Sequence, residues 1–170
     1  MIYLITGGAR SGKSGYAQNL AISLSEQPVY VATARIWDDD FAERIKKHQE
    51  DRGPQWQLYE EEQQLSLLPL EGKTVVVDCI TLWLTNFFVS NNYNQAGTLQ
   101  AIQTEIDSLL KQKADFIFVT NEIGMGVHAE TGVGRKFTDL QGWVNQYIAR
   151  IANTVVLMVS GIPVVIKEEK

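Results

Sequence analysis

The chain has 170 residues, 45% hydrophobic and 21% charged, an ordinary globular composition that lets roughly 70% of the unfolded surface be buried in one core. Fifteen Lys+Arg against twenty Asp+Glu give a net charge of −5, which excludes a generally basic nucleic-acid or anionic-membrane binder. One cysteine excludes an internal disulfide framework and any Cys-rich zinc motif, and no apolar run reaches the ~18 residues of a membrane span.

Met1 to Thr6 is a short apolar run that passes into glycines, so it reads as a buried strand and not as a signal peptide. The expected location is cytoplasmic. Lys13 to Leu24 is predicted helical, with Tyr16, Ala17, Leu20, Ala21 and Leu24 on one face. Val29 to Thr33 is a second strand. Asp38-Asp39-Asp40 offers an acidic helix start and Arg52-Gly53-Pro54 a stop, predicting a helix between them with Phe41 and Ile45 on one side. Trp56 to Leu70 reads as a short strand followed by a short helix.

Lys73 to Asp78 is a strand with a β-branched centre, and Thr81 to Val89 a helix rich in large apolar residues. Ser90 to Asn94 is a loop. Leu99 to Leu110 is an amphipathic helix carrying Leu99, Ile102, Ile106, Leu109 and Leu110 at helical spacing. Asp115 to Thr120 is a strand. Asn121 to Lys136 holds four glycines and reads as a long functional loop, with helix resuming from Phe137 to Ala152. Val155–Val159 and Val164–Lys167 close the chain as strands around a Gly-Ile-Pro turn. Strands alternating with helices predict one α/β domain over residues 1–170, with a mostly parallel sheet and a closing pair that could be antiparallel.

Gly7-Gly8-Ala9-Arg10-Ser11-Gly12-Lys13-Ser14 fits G-x-x-x-x-G-K-[ST] between a predicted strand and a predicted helix. Glycines let backbone N–H groups curl around phosphate oxygens, and the helix N-terminus adds partial positive charge. Lys13 is then expected at the β- and γ-phosphates, and the Ser14 hydroxyl on Mg²⁺. Such a site calls for a carboxylate closing another buried strand. Asp78 is the candidate; its other reading is an N-cap for the helix near Thr81. Arg44, His48 and Arg52 recur at i, i+4, i+8 and would share a helical stripe suited to a polyphosphate. Beside Phe41 and Ile45, His48 reads either as a catalytic imidazole or as a half-buried structural residue. Cys79 reads as a small core residue; Trp83, Phe87 and Phe88 read as core or as a subunit interface.

These motifs occur in a familiar order: Thr6 to Ser14, Ala32-Thr33, Arg44 through His48 to Arg52 with Pro54 and Trp56, and Asp78-Cys79-Ile80-Thr81. Thr120-Asn121-Glu122-Ile123-Gly124-Met125-Gly126, Arg135 through Asn145-Gln146, and Ser160 to Pro163 near Lys167 follow. Over nearly its whole length the chain resembles the bifunctional adenosylcobinamide kinase/adenosylcobinamide-phosphate guanylyltransferase family. The resemblance implies a three-layer P-loop NTPase (RecA-like) fold. It implies phosphorylation of the aminopropanol hydroxyl of adenosylcobinamide by a nucleoside triphosphate. GMP is then transferred from GTP to adenosylcobinamide phosphate, giving adenosylcobinamide-GDP and pyrophosphate. The family's histidine, which carries GMP as a phosphoramidate, falls on His48. Ala32, Thr33, Ala34, Gln49, Glu50, Asp51, Arg52, Glu60 and Asp78 fall on positions that line the GTP site, Glu60 as an acceptor for guanine or merely a helix-start carboxylate. Asn121 to Gly126 suits a loop that closes over ligand or a structural turn. Val127-His128-Ala129-Glu130 departs from the Val-Pro common in the family. The implied partners are Mg²⁺, GTP with ATP admissible in the kinase step, the two corrinoids, and copies of the chain in a homotrimer. The residues alone leave two other readings, a P-loop kinase for another small alcohol and a nucleotide-gated binding protein without transfer chemistry.

Overall fold

A computed structural model describes residues 1–35 and 53–169. Seven strands form one sheet in the order β3-β2-β4-β5-β1-β6-β7. They are β1 (Ile2–Gly7), β2 (Val29–Ala32), β3 (Gln57–Glu60), β4 (Thr74–Asp78), β5 (Asp115–Val119), β6 (Thr154–Val159) and β7 (Ile162–Glu168). All neighbouring pairs are parallel except β6 with β7, which is antiparallel. The helices are α1 (Lys13–Leu24), α2 (Ile80–Ser90), α3 (Gln95–Leu109) and α4 (Gly132–Ile151), and Leu65–Leu67 makes one 3₁₀ turn.

The central strands β1, β2, β4 and β5 are apolar on both faces because both faces are covered. Successive residues alternate between two cores. Leu4, Val31, Val75, Val77, Phe116 and Phe118 pack with Trp83, Leu84, Ile102, Ile106, Leu140 and Ile148 from α2, α3 and α4. Ile5, Tyr30, Val76, Ile117 and Val119 pack on the other side against Ala17 and Ala21 of α1. The alanines leave α1 close to the sheet, and so the loop that precedes it. This is the three-layer α/β architecture expected from the sequence, with the closing antiparallel pair. Trp83 and Phe88 are core residues and Phe87 packs against that core, so their interface reading falls away.

Some boundaries move. α4 begins at Gly132, five residues before the expected Phe137, because the Thr131 side chain caps it by accepting from the Gly134 N–H at 3.0 Å. α3 likewise starts at Gln95, capped by Asn94 accepting from Gly97 N–H at 2.9 Å. The last turn is Ser160-Gly161, with Ile162 and Pro163 already in β7. Proline is admissible there because β7 is an edge strand. Leu24, expected on the buried face of α1, is the helix's last residue and is 43% exposed. The helix expected between Asp38 and Arg52 lies outside the described residues.

Candidate functional site

The carboxyl ends of the parallel strands form one edge, and the sequence-predicted residues collect along it. Register pairs Glu60 with Ala32, Ala32 with Asp78, Asp78 with Val119, and Val119 with Ile5. With strands about 4.8 Å apart, Glu60 stands about 10 Å from Asp78 along this edge. The glycine loop leaves β1, two strands beyond Asp78 on the other side.

That loop is built on special backbone. Gly7 has φ 148°, and a Cβ there would come within 2.5 Å of the Met158 carbonyl oxygen and 2.8 Å of Ser11 Oγ. Gly12 has φ 93° and stands at the N-cap of α1 without a side-chain cap, so the first turn presents its N–H groups without one. Arg10, a non-glycine residue, takes φ 55° between them. Beneath the loop, the Gly161 N–H of the β6–β7 turn donates to the Ser11 carbonyl at 3.0 Å.

A cavity of about 590 Å³ opens against this loop. It is lined by Ala9 to Gly15, by Asp78 at the end of β4 and Cys79 after it, and by Val119 at the end of β5 and Asn121 beyond it. Lys13 is 7% exposed and its Nζ donates to the Gly8 carbonyl at 2.5 Å and Ser11 Oγ at 3.4 Å. Burial holds the Lys13 ammonium below its ordinary pKa, partly offset by Cys79 and the Asp78 carboxylate. Asp78 closes β4 half-buried, and the Tyr30 hydroxyl donates to its Oδ2 at 2.7 Å. Tyr30 is in turn held edge-on to Trp56, ring centroids 6.0 Å apart. Burial, then the Asp78 charge, pushes the Cys79 thiol up to about 12, so it stays protonated and packs as a small core residue.

Thr33 is fully buried. Its hydroxyl donates to the Cys79 carbonyl at 2.8 Å and accepts from the Cys79 N–H at 2.9 Å, while its own carbonyl accepts from Asn86 Nδ2 at 2.8 Å. It ties the end of β2 to the end of β4. Ala34 follows half-buried, and the exposed Arg35 pairs with Glu62 at 3.9 Å. Glu60 is exposed at the end of β3. The structure therefore gathers Ala9 to Ser14 and Asp78 around one cavity, with Gly7 and Gly8 leading into that loop from β1, and sets Ala32, Thr33, Ala34 and Glu60 along the same edge. His48, with Arg44, Gln49, Glu50, Asp51 and Arg52, lies outside the described residues.

Asn121 is read from the sequence as the start of a loop at a strand's carboxyl end, suited to closing over ligand or to a structural turn. Its place in the cavity follows from strand order, which puts β5 between β4 and β1. A buried polar cluster fixes it. Thr120 Oγ1 donates to Asn145 Oδ1 at 2.7 Å, Gln141 Nε2 donates to the same oxygen at 2.8 Å, and Asn145 Nδ2 donates to the Asn121 carbonyl at 3.1 Å.

Donor chemistry suits a hard, strongly hydrated divalent cation such as Mg²⁺. Ser14 and Asp78 offer one hydroxyl and one carboxylate at the cavity, and among the described residues no group of three or more His, Cys, Asp or Glu could cage an ion. Mg²⁺ is ordinarily held by one or two protein oxygens, with water and phosphate completing its shell. No helix of the described residues is long and apolar enough to cross a membrane.

Residues 3–166 match a family model described as cobinamide kinase / cobinamide phosphate guanyltransferase. The bifunctional adenosylcobalamin biosynthesis protein CobU of Escherichia coli is 40% identical, over 98% of this chain and 100% of that protein. The CobU protein of Salmonella typhimurium is 37% identical over the same shares, and CobP of Pseudomonas aeruginosa 36% over 98% and 97%. Among solved structures, a Pyrococcus horikoshii protein of a structural project, PH0250, superposes with a TM-score of 0.56 at 8% identity, covering 99% of this chain and 87% of that one. A type III secretion ATPase superposes with a TM-score of 0.53 at 8% identity, covering 92% and 50%. These two likenesses show the α/β fold alone.

Proposed function

The chain belongs to the cobinamide kinase / cobinamide phosphate guanyltransferase family, and from that premise we propose how its residues divide the two transfers. The reading rests on one convergence: Lys13, Ser14 and Asp78 border a single cavity under an uncapped helix N-terminus. In the kinase step, Gly7 to Ser14 wrap the phosphates of GTP or ATP, and Lys13 leaves the Gly8 carbonyl to bind the β- and γ-phosphates. The aminopropanol hydroxyl of adenosylcobinamide bonds to the γ-phosphorus as the bond to the β,γ-bridging oxygen breaks. The nucleoside diphosphate departs with that electron pair, and the hydroxyl proton passes to solvent. Ser14 and Asp78 are the proposed protein ligands for Mg²⁺, which would offset phosphate charge when bound.

In the second step the lone pair of the His48 imidazole bonds to the α-phosphorus of GTP, and pyrophosphate leaves. An oxygen of adenosylcobinamide phosphate then bonds to that phosphorus, the P–N bond breaks, and adenosylcobinamide-GDP forms with the imidazole restored. Ala32, Thr33, Ala34, Gln49, Glu50, Asp51, Arg52 and Glu60 line the nucleoside end in this reading. The row Glu60–Ala32–Asp78 supports it by offering an edge that runs away from the phosphate loop. Thr33 contributes through its hold on Cys79, since its hydroxyl and carbonyl are both engaged.

Assembly as a homotrimer in the cytoplasm belongs to the same reading. Its support is the outer strand β7, where Ile162, Val165 and Ile166 are more than half exposed. The chain 1–170 acts as one domain.

Incubation with α-labelled and γ-labelled GTP tests the assignment on wild type and His48→Ala. The expected result is γ-label on adenosylcobinamide from both, and acid-labile α-label on protein from wild type alone. Full GMP transfer without label on the protein would remove His48 from the pathway. Nucleotide binding with neither product would leave a nucleotide-gated binding protein.

A further inference from the structure

The sheet inserts β5 between the strand that carries the phosphate loop and the strand that ends in Asp78. Asn121 leaves β5 at that point and lines the cavity with Lys13 and Asp78. Its backbone is held on every side. Its N–H donates to Thr81 Oγ1 at 3.1 Å, and its carbonyl accepts from Asn145 Nδ2 at 3.1 Å. The next residue, Glu122, donates its N–H to the Gly7 carbonyl at 3.0 Å, which ties this segment to the phosphate loop itself. Asn145 is immobilised in turn by Thr120 and by Gln141, which is 1% exposed. Among the described residues, the Asn121 carboxamide makes no hydrogen bond. A held backbone thus places an amide that is unpartnered among the described residues at the lining of a cavity that the loop fits for phosphate. Preorganised donors of this kind stabilise developing charge without having to reorganise.

We infer that the Asn121 side-chain N–H donates a hydrogen bond to the terminal phosphoryl group of the bound nucleoside triphosphate, adding a contact that a diphosphate cannot make. The inference rests on the reading of this cavity as a triphosphate site. The side of approach selects the terminal group. The loop and α1 would enclose the phosphate chain from β1, whereas Asn121 follows β5, whose Val119 pairs with Asp78 in the sheet. Residue chemistry fits as well. Phosphoryl oxygens only accept, and a neutral amide adds no negative charge beside Asp78. As the acceptor hydroxyl bonds to the γ-phosphorus, charge spreads over its equatorial oxygens, and a donor at this place would meet that charge.

The test measures the affinities of β,γ-imido-GTP and GDP by calorimetry on the full chain, for wild type, Asn121→Ala and Asn121→Asp. γ-Phosphoryl transfer to cobinamide is the second readout. Asn121→Ala is expected to lower the triphosphate-over-diphosphate preference about tenfold, as loss of one charge-assisted hydrogen bond would. GDP affinity should hold, and transfer should slow by about a hundredfold. Asn121→Asp keeps the shape but repels phosphate, so its preference should fall further. A role in filling space would instead be rescued by Asp. An unchanged preference in Asn121→Ala, or recovery in Asn121→Asp, overturns the inference. If wild type prefers triphosphate but does not phosphorylate cobinamide, the corrinoid reading fails while the affinity ratio still decides Asn121. If wild type binds no triphosphate, both fail.

Discussion

The Gly161 N–H donates to the Ser11 carbonyl at 3.0 Å, so the last turn of the chain holds up its first loop. Gly161 has φ 83°, and a Cβ added there would meet nothing within 4 Å. Backbone preference, not space, therefore decides what the position accepts. Gly161→Ala should cost about 1–2 kcal/mol, the usual penalty for alanine in the left-handed region. Gly161→Asn should cost clearly less, because asparagine tolerates that region. Urea midpoints compare the two, and equal losses would refute the backbone account.

Two adjacent glycines of the loop should respond in opposite ways. Gly7→Ala drives a methyl group into the Met158 carbonyl and Ser11 Oγ, at φ 148°. Gly8 has no atom within 4 Å of an added Cβ and is not in the left-handed region. Nucleotide affinity should fall at least tenfold in Gly7→Ala, because a backbone shift of even a few tenths of an ångström misaims the loop amides. Gly8→Ala should stay within about threefold of wild type, well short of the effect of a misaimed loop. Calorimetric titration with GTP reads both.

Burial lowers the Lys13 pKa from its ordinary 10.5, which means the fold carries this ammonium at a cost. At pH values below the lowered native value, both folded and unfolded states hold the proton and the penalty is complete. Between that value and 10.5 the unfolded state binds more protons, so stability from this group rises with pH. Lys13→Met should remove the penalty. The ligand-free variant should melt higher at pH 7 than wild type. It should also flatten the alkaline part of the stability profile and lose measurable GTP binding. A lower melting temperature would mean that the hydrogen bonds to Gly8 and Ser11 outweigh desolvation.

Much of this molecule can be read from its residues, for identifiable reasons. α1 keeps its expected bounds of Lys13 and Leu24 because the glycine turn that precedes it fixes where a helix can begin. β4 stands out because Val75, Val76 and Val77 suit a strand buried on both faces. The start of α4 is hidden by Gly132 and Gly134, poor helix formers whose cost is offset by the Thr131 cap and by Arg135 Nη1 donating to the Ala129 and Glu130 carbonyls. Gly7 to Ser14 are legible as a local motif, and Asp78 as the end of a strand. Asn121 is legible as the start of a loop at a strand's carboxyl end; that it shares a cavity with Lys13 and Asp78 is not, because that depends on which strands β5 lies between, and pairing order is a long-range property. Thr33 shows the same limit: the bonds its hydroxyl makes to Cys79 join β2 to β4 and depend on that pairing, which no local stretch of sequence displays.

Tyr30 supplies the last test, since its hydroxyl donates to Asp78 Oδ2 at 2.7 Å and the tyrosine is 4% exposed. That bond fixes which way the carboxylate turns, and a carboxylate held ready for Mg²⁺ needs its second oxygen occupied. Tyr30→Phe keeps the ring against Trp56 and removes the hydroxyl that donates to Asp78. Stability should fall by about 1 kcal/mol, the net worth of one hydrogen bond. Half-maximal phosphoryl transfer should require about tenfold more Mg²⁺, the lower end of what losing such a supporting contact does to metal affinity. Saturating Mg²⁺ should restore most of the wild-type rate, because Lys13, Ser14 and the loop amides are untouched. A rate that stays depressed at every Mg²⁺ concentration would show that Asp78 acts on the acceptor hydroxyl instead of the metal.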